Sequence, residues 1–312
     1  RSSYKASDFC DFNANPNGCE NYLKLNWKTP YYTTDGKGYT KLENAFDNLS
    51  SSNNTVYLRW NYNDPRGKTT FDKKGVKGTL NLNGYTLNML TDEVKVLNGA
   101  ELTIMKGTLA TNKEPQALNV NSGGIVHISS NTTIASKFNG GKKEEDTQAI
   151  LIKDGKVYLN GGTVTSGTGE RDGYARGVFM NHKDAYFKMN SGKIYVNATK
   201  NSGWGGTGVN CNNGKVVLES GTIEIVKGGK DRCGLCMNAR HHSPHSAKAY
   251  VKNGVTIKIS GHVSNGKSGG NMWADAQSSV CYEKGVKLTG SGSYRDIGGE
   301  SSSFTKKKNG GC

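Results

Sequence analysis

The sequence predicts an all-β chain that folds as a right-handed parallel β-helix, with successive coils stacked on one another. Two observations predict this fold. Pairs of alternating apolar residues recur about every thirty residues, and turns rich in glycine and asparagine separate them. Alternation is typical of strands that bury one face. Because one repeat cannot bury that face alone, the repeats must stack.

The composition is consistent with many short strands. The 312 residues include 42 Gly and 5 Pro, and 34% of the residues are hydrophobic. Such a mixture suits either disorder or short strands joined by tight turns, and the alternating pairs favour strands. No apolar run approaches the roughly 18 residues that span a bilayer, so membrane insertion is not expected.

The clearest copy of the repeat runs from Ala149 to Gly167 and contains three short strands. The middle strand carries the apolar pairs Leu80/Leu82, Leu102/Ile104, Val126/Ile128, Val157/Leu159, Phe187/Met189, Val216/Leu218, Ala249/Val251 and Val280/Tyr282. The flanking strands repeat in the same register, for example Val94/Val96 before the middle strand and Ile194/Val196 after it. These pairs predict about eight coils with a continuous apolar interior.

Three regions follow from this register. Residues 1–75 are expected to form an N-terminal cap, because the open end of a strand stack is prone to aggregation. The cap includes a helix over residues 40–48, with Thr40 as its capping residue and Leu42, Ala45 and Phe46 on its apolar face. Residues 76–290 form the β-helix, and residues 291–312 form a tail or a second cap.

At the turns, the sequence resembles a known family. Asn160-Gly161-Gly162-Thr163-Val164 and Asn190-Ser191-Gly192-Lys193-Ile194 are similar to the NGGTI repeats of microbial cell-surface β-helix proteins and adhesins. The helix and strand that precede the coils resemble the entry of the pectin-lyase-like superfamily. The resemblance covers about residues 40–290. It implies the fold, whereas the function stays open, because the superfamily includes lyases, hydrolases, adhesins and structural fibres.

The resemblance implies that any enzyme chemistry would lie on the outer face of the coils. The residue series of polygalacturonase-like hydrolases does not occur in the chain, and the register places no outward carboxylate pair or acidic calcium ladder. A metal-independent polysaccharide lyase remains as a hypothesis, with cations that neutralise a uronate and a base that abstracts a proton. Its candidate residues are Arg176, Lys183, Arg232, Arg240 and His241, with Tyr174 nearby. The simpler interpretation, polar loop residues of a basic protein, is preferred.

The seven cysteines predict disulfides and an extracellular location. Cys10 and Cys19 bracket a loop suited to a small disulfide. Cys211, Cys233, Cys236 and Cys281 are further candidates, the first three as bridges between neighbouring coils. The odd count leaves Cys312 as a candidate for an intermolecular bond, or as a free terminal thiol. The chain begins at Arg1 without Met, as a processed secreted protein or a shortened chain would.

The run Cys233-Gly-Leu-Cys236, followed by His241, His242 and His245, could be read as a zinc site. The register, however, turns Leu235 inward and Cys236 outward, and a structural zinc needs four converging ligands. A disulfide or a plain histidine-rich loop is therefore preferred. Neither a metal nor another cofactor is expected.

The outward residues indicate possible partners. Aromatic candidates for stacking on sugars, or for a protein contact, are Trp204, Trp273, Phe179, Tyr158 and Tyr250. The net charge of +15 favours acidic glycans or an anionic cell surface. Nucleic acid is not expected, since the chain has neither a basic helix nor an aromatic-basic RNA-binding motif.

Together these features predict a secreted, non-enzymatic structural or adhesive protein. Its two stack ends could dock head to tail, and Cys312 could link copies, so self-association into a surface layer or filament is expected. The alternatives are the polysaccharide lyase and a glycan-binding adhesin that recognises acidic polysaccharide.

Overall fold

The structure is a computed structural model that describes residues 29–65, 69–137, 147–167, 174–197, 206–226, 232–240, 247–260, 270–290 and 297–312. Cys10, Cys19, Trp204 and His241 lie outside these residues. The described residues form one short α-helix, α1 (Leu42–Asp47), one 3-10 turn (Ser301–Ser303) and strands β1 to β24.

The strands are, in chain order, β1 (Tyr31–Thr33), β2 (Gly38–Tyr39), β3 (Thr55–Leu58), β4 (Tyr62–Asp64), β5 (Thr69–Phe71), β6 (Lys77–Asn81), β7 (Thr86–Met89), β8 (Val94–Val96), β9 (Glu101–Met105), β10 (Gly107–Thr111), β11 (Leu118–Val120), β12 (Ile125–Ser129), β13 (Thr132–Ser136), β14 (Thr147–Ile152), β15 (Lys156–Ser166), β16 (Ala175–Asn197), β17 (Thr207–Val226), β18 (Cys233–Met237), β19 (Ala247–Ser260), β20 (Gly270–Ala274), β21 (Ser279–Glu283), β22 (Lys287–Gly290), β23 (Ile297–Gly299) and β24 (Phe304–Lys307).

Parallel pairing sorts these strands into three columns. The first column runs β5–β8–β11–β14–β16–β17–β18–β20–β23. The second runs β3–β6–β9–β12–β15–β16–β17–β19–β21–β24. The third runs β4–β7–β10–β13–β15–β16–β17–β19–β22. We call one passage of the chain through the three columns a tier. The all-β, parallel stacking that the sequence predicts is confirmed.

Apolar side chains from successive tiers form one interior. Val157 pairs with Phe187, and Phe187 pairs with Val216, and all three side chains are fully buried. The first column keeps the predicted register through Val94, Leu118 and the later tiers. Burying such side chains stabilises each by about 1.5–3 kcal/mol, so the interior accounts for most of the favourable energy of the stack.

In β6, the second strand of the second column, the predicted register is wrong by two residues. The structure aligns Gly78 with Leu102 and Leu80 with Ile104, whereas the apolar pattern aligned Leu80 with Leu102. The reason is that Gly78 packs against the side chains of Phe71 and Leu49. A Cβ atom on Gly78 would lie 2.8 Å from Cζ of Phe71 and 2.9 Å from Cδ1 of Leu49. Strand β6 therefore has glycine at a position where β9 has a leucine.

The predicted helix is present as α1, which buries Leu42, Ala45 and Phe46. The ring of Phe46 lies 5.2 Å from that of Phe71, centroid to centroid. The residue before the helix is Lys41 rather than the predicted Thr40, and its side chain makes no capping hydrogen bond. Packing rather than capping therefore stabilises this helix. Strand β1 pairs antiparallel with β2 and β3, beside the start of the second column.

A disulfide bond joins the last residue of the sequence to β21. Cys281 in β21 bonds to Cys312, with 5.9 Å between their Cα atoms. Cys281 was a disulfide candidate and is bonded, whereas Cys312, a candidate for an intermolecular bond or a free thiol, is neither of these in the structure. The bond holds the residues after β24 against the preceding tier.

A column of glycines bends the first strand of three successive tiers. Gly177, Gly208 and Gly234 point towards the interior, and a Cβ atom on each would lie 2.1–2.5 Å from Cγ2 of an isoleucine in the third column. In each case the next residue along the chain also points inward, as Val178, Val209 and Leu235 do. With two consecutive inward residues, the residues on either side of the pair both point outward.

The glycine column gives a test of this packing. Gly208→Ala should lower the free energy of unfolding by about 1–3 kcal/mol, because the added methyl group meets Ile223 at 2.2 Å and a backbone oxygen of Gly234 at 2.5 Å. Chemical denaturation of Gly208→Ala, Ile223→Ala and the double variant measures the coupling. A double variant that loses less than the sum of the two single losses supports the contact. Strict additivity contradicts it.

The terminal disulfide gives a second test. It joins residues 31 positions apart, so Cys312→Ser should cost up to about 4 kcal/mol on the chain-entropy account. Hydrogen exchange should locate the loss in β21 to β24, since tiers interact mainly with their neighbours. Loss of protection spread evenly over the chain would contradict this local role.

Candidate functional site

The bend in the first column brings outward side chains together in pairs three residues apart. In β16 the guanidinium of Arg176 lies 4.4 Å from the ring centroid of Phe179 and 4.3 Å from that of Tyr174. Its Nη1 also donates a hydrogen bond to Oε1 of Gln148 at 3.3 Å. The corresponding pairs in the next tiers are Thr207/Asn210, Cys233/Cys236 and Gly270/Trp273.

Above these pairs lies an open groove of about 630 Å³. Its lining residues come from several tiers and include Tyr174, Asn210, Cys233, Cys236, Asn238, Arg240, Trp273, Asp275 and Glu300. The structure thus brings together two residues of the lyase hypothesis, Tyr174 and Arg240, with the predicted binding residue Trp273. Arg176 and Phe179 lie in the same column, outside the groove lining.

Hydrogen bonds fix two of the groups that line the groove. Burial raises the pKa of Tyr174 well above its ordinary value, and the hydroxyl of Thr207 donates to its phenol oxygen at 2.8 Å. Tyr174 therefore remains a neutral phenol at physiological pH. Oδ2 of Asp275 accepts from the backbone N–H of Arg240 at 2.6 Å, and its Oδ1 accepts from the hydroxyl of Ser278 at 2.7 Å. This carboxylate holds the loop that borders the groove.

The cysteines of this region are thiols. Cys211, Cys233 and Cys236 are free and buried, which corrects the prediction that they bridge neighbouring coils. Burial, with the neighbouring Cys236 as a second cause, raises the pKa of the Cys233 thiol. Cys211 points into the interior, where its thiol donates to the carbonyl oxygen of Asn213 at 3.3 Å. Cys236 points outward, as the register predicts.

A second surface lies on the outer side of the second and third columns. We define this lysine–tyrosine face as the outward residues of those columns from Lys156 to Lys287. Its lysines are Lys156, Lys188, Lys193, Lys215, Lys248, Lys252, Lys258 and Lys287, its tyrosines are Tyr158, Tyr186, Tyr195 and Tyr250, and its carboxylates are Glu219 and Glu224. Lysines outnumber carboxylates on this face, so its potential is positive.

Each carboxylate of the face lies between two lysines from the neighbouring tiers. Glu219 pairs with Lys188 at 3.3 Å and with Lys252 at 2.7 Å. Glu224 pairs with Lys193 at 2.7 Å and with Lys258 at 3.0 Å. Hydrogen bonds from these lysines lower the pKa of both carboxyl groups. Each triad keeps one net positive charge.

The lysines also lie over aromatic rings. Nζ of Lys215 lies 4.9 Å from the ring centroid of Tyr250, and Nζ of Lys193 lies 4.9 Å from that of Tyr195. Lys215 is in register with Lys248 of the next tier, and both side chains are exposed. Like charges on adjacent strands repel one another, so the free protein holds this pair at a cost.

Of the predicted binding residues, Tyr158 and Tyr250 lie on the lysine–tyrosine face. Tyr158 stacks on His127 with 4.9 Å between ring centroids. Sequence reasoning missed Lys156, Lys215 and Lys248 as a set. The signal was available: each immediately precedes the first apolar residue of a middle-strand pair, so the register places all three outward in one column.

Within the part of the chain that the structure describes, no helix is long and apolar enough to cross a membrane. The same residues contain no group of three or more His, Cys, Asp or Glu side chains that could hold a metal ion. His241, from the lyase and zinc hypotheses, lies outside them. No protein-family model, curated protein or solved structure matches the chain.

The triads predict a pH dependence of stability. Because the folded pKa values of Glu219 and Glu224 are depressed, their stabilisation is complete above the unfolded value of about 4.3 and is lost as the pH falls through the folded values. Melting temperatures of wild type and of Glu219→Gln/Glu224→Gln should differ at pH 7 and converge at acidic pH. A difference that persists unchanged below the folded pKa values would contradict the ion-pair account.

Proposed function

We propose that this chain is a secreted, non-enzymatic adhesive protein that binds acidic polysaccharide on its lysine–tyrosine face. We further propose the finer fold assignment: a right-handed parallel β-helix of about eight coils that belongs to the pectin-lyase-like superfamily. The intrachain disulfide between Cys281 and Cys312 supports an oxidising, extracellular location.

The adjacent lysines Lys215 and Lys248 carry the proposal. Charge repulsion between them lowers the stability of the free protein, and a bound polyanion relieves it. Tiers follow one another at about 4.8 Å, so lysines repeat along the stack at a spacing that an extended chain of uronate or sulfated sugars can follow. The tyrosine rings beside them offer flat apolar surfaces to the sugar rings.

The groove supports catalysis less well. Arg176 is packed against two aromatic rings, and Tyr174 is held as a neutral phenol. Neither is arranged as the base that a lyase requires. Asp275 is occupied by the bonds that hold its own loop. Formation of unsaturated uronate products that Tyr174→Phe abolishes would favour the lyase instead.

Self-association into filaments stays a prediction, and two features weigh against its head-to-tail form. Helix α1 buries its apolar face at the start of the stack. At the other end, the last strands carry Lys287, Lys306 and Lys307, all exposed. Lysines on edge strands oppose pairing with another sheet.

Binding can be measured on immobilised polygalacturonate and on a sulfated glycosaminoglycan, with a neutral glucan as the blank. Lys215→Gln/Lys248→Gln should weaken binding by roughly tenfold, the loss expected for two exposed charge contacts. Affinity should also fall as salt is raised, because the contacts are screened. The same variant should melt at a slightly higher temperature than wild type, since the repulsion is gone.

The matched control is Lys284→Gln/Lys308→Gln, which removes the same charge from exposed lysines near the end of the chain. It should bind nearly as well as wild type. An equal loss in both variants would mean that net charge alone attracts the polymer. Equal binding of the neutral glucan, or binding that salt leaves unchanged, would overturn the proposal.

A further inference from the structure

We infer that Cys233 and Cys236 form a thiol–disulfide exchange site that reacts with small disulfides of the glutathione type entering through the groove. The site is separate from the lysine–tyrosine face and does not depend on polysaccharide binding. Two observations support it: the bend that places both sulfurs on one side, and their shared position in the lining of an open groove.

The bend explains how two cysteines three residues apart can meet on a strand. In a regular strand, residues three positions apart point to opposite faces. Here Gly234 and Leu235 both point inward, so Cys233 and Cys236 both point outward. The equivalent pair in β16 also lies on one side of the strand, since the guanidinium of Arg176 lies 4.4 Å from the ring of Phe179.

The next tier places a small residue over one thiol and a large one over the other. Cys233 is in register with Gly270, which has no side chain, and Cys236 is in register with Trp273. Both cysteines line the groove together with Tyr174 and Arg240. The guanidinium of Arg240 is exposed and offers a positive charge to the carboxylates of a glutathione-type molecule.

The two thiols differ in reactivity. Cys236 retains 9% of its exposure and Cys233 only 1%. Burial and the neighbouring sulfur raise the pKa of Cys233, so Cys233 remains protonated to a higher pH than an ordinary cysteine does. The more exposed Cys236 is therefore the sulfur that attacks first.

Cys236 loses its proton to solvent, and its thiolate attacks one sulfur of the small disulfide, so that the S–S bond breaks and one small thiolate leaves and takes up a proton. Cys233 then loses its proton, and its sulfur displaces the second small thiol from Cys236. The protein loses two electrons and two protons, and the small disulfide gains them as two thiols.

Cys211 is the internal control. It is as buried as Cys233 and lies in the neighbouring tier, but its side chain faces the interior. If access through the groove determines reactivity, Cys211 stays a thiol while Cys233 and Cys236 react. If transient unfolding exposes the cysteines, all three react at the same rate.

The experiment treats the native full-length protein with oxidised glutathione at pH 8 and maps disulfides by mass spectrometry without reduction. We expect a peptide that joins Cys233 to Cys236, an unmodified Cys211 and an intact Cys281–Cys312 bond. Cys233→Ser should trap one glutathione on Cys236, because the resolving sulfur is missing. Cys236→Ser should leave Cys233 at least tenfold slower to react, given its burial and raised pKa.

The proposal is overturned if Cys233→Ser traps no glutathione while circular dichroism shows the native fold. It is also overturned if Cys211 enters the new bond, or if all three cysteines react at the rate of global unfolding. Because a Ser variant could misfold, wild type is also labelled with iodoacetamide. Alkylation of Cys236 ahead of Cys211 supports the inference, and equal alkylation contradicts it.

Discussion

The structure depends on one constraint: inward side chains of every tier must fill a single shared interior. Val157, Phe187 and Val216 lie in one file because strands in adjacent tiers pair in register. A tier alone exposes its apolar residues, and only a neighbour on each side removes them from water. The outer surface is therefore free to vary, while the inner one is not.

The same constraint explains how much could be predicted from the sequence. The apolar pairs predict strand positions throughout the first column, where Val94, Leu118 and Ile150 fall in register. The pattern fails at Leu80, because Gly78 in the same strand packs on Phe71 and on Leu49, and Leu49 lies outside the repeat. The apolar periodicity predicts contacts between equivalent residues of neighbouring tiers. It does not predict contacts with residues outside the repeat.

The candidate sites were harder to predict, because they depend on side chains far apart in sequence. The outward direction of Tyr250 and Trp273 follows from alternation alone. Their partners do not: Lys215 reaches Tyr250 from the tier before it, and Asp275 reaches the backbone of Arg240. The cysteines show the same limit, since an odd count favoured an intermolecular bond and did not reveal that Cys312 meets Cys281.

The glycine bend of the first column has a wider consequence. The same backbone geometry carries three different pairs of outward side chains. They are a cation with an aromatic ring (Arg176/Phe179), two polar groups (Thr207/Asn210) and two thiols (Cys233/Cys236). Each pair flanks a glycine on which a Cβ atom would meet an isoleucine of the third column, so the exchanges leave the inward side of the strand unchanged. The outward residues of one tier can thus change during evolution without a change in the backbone that carries them.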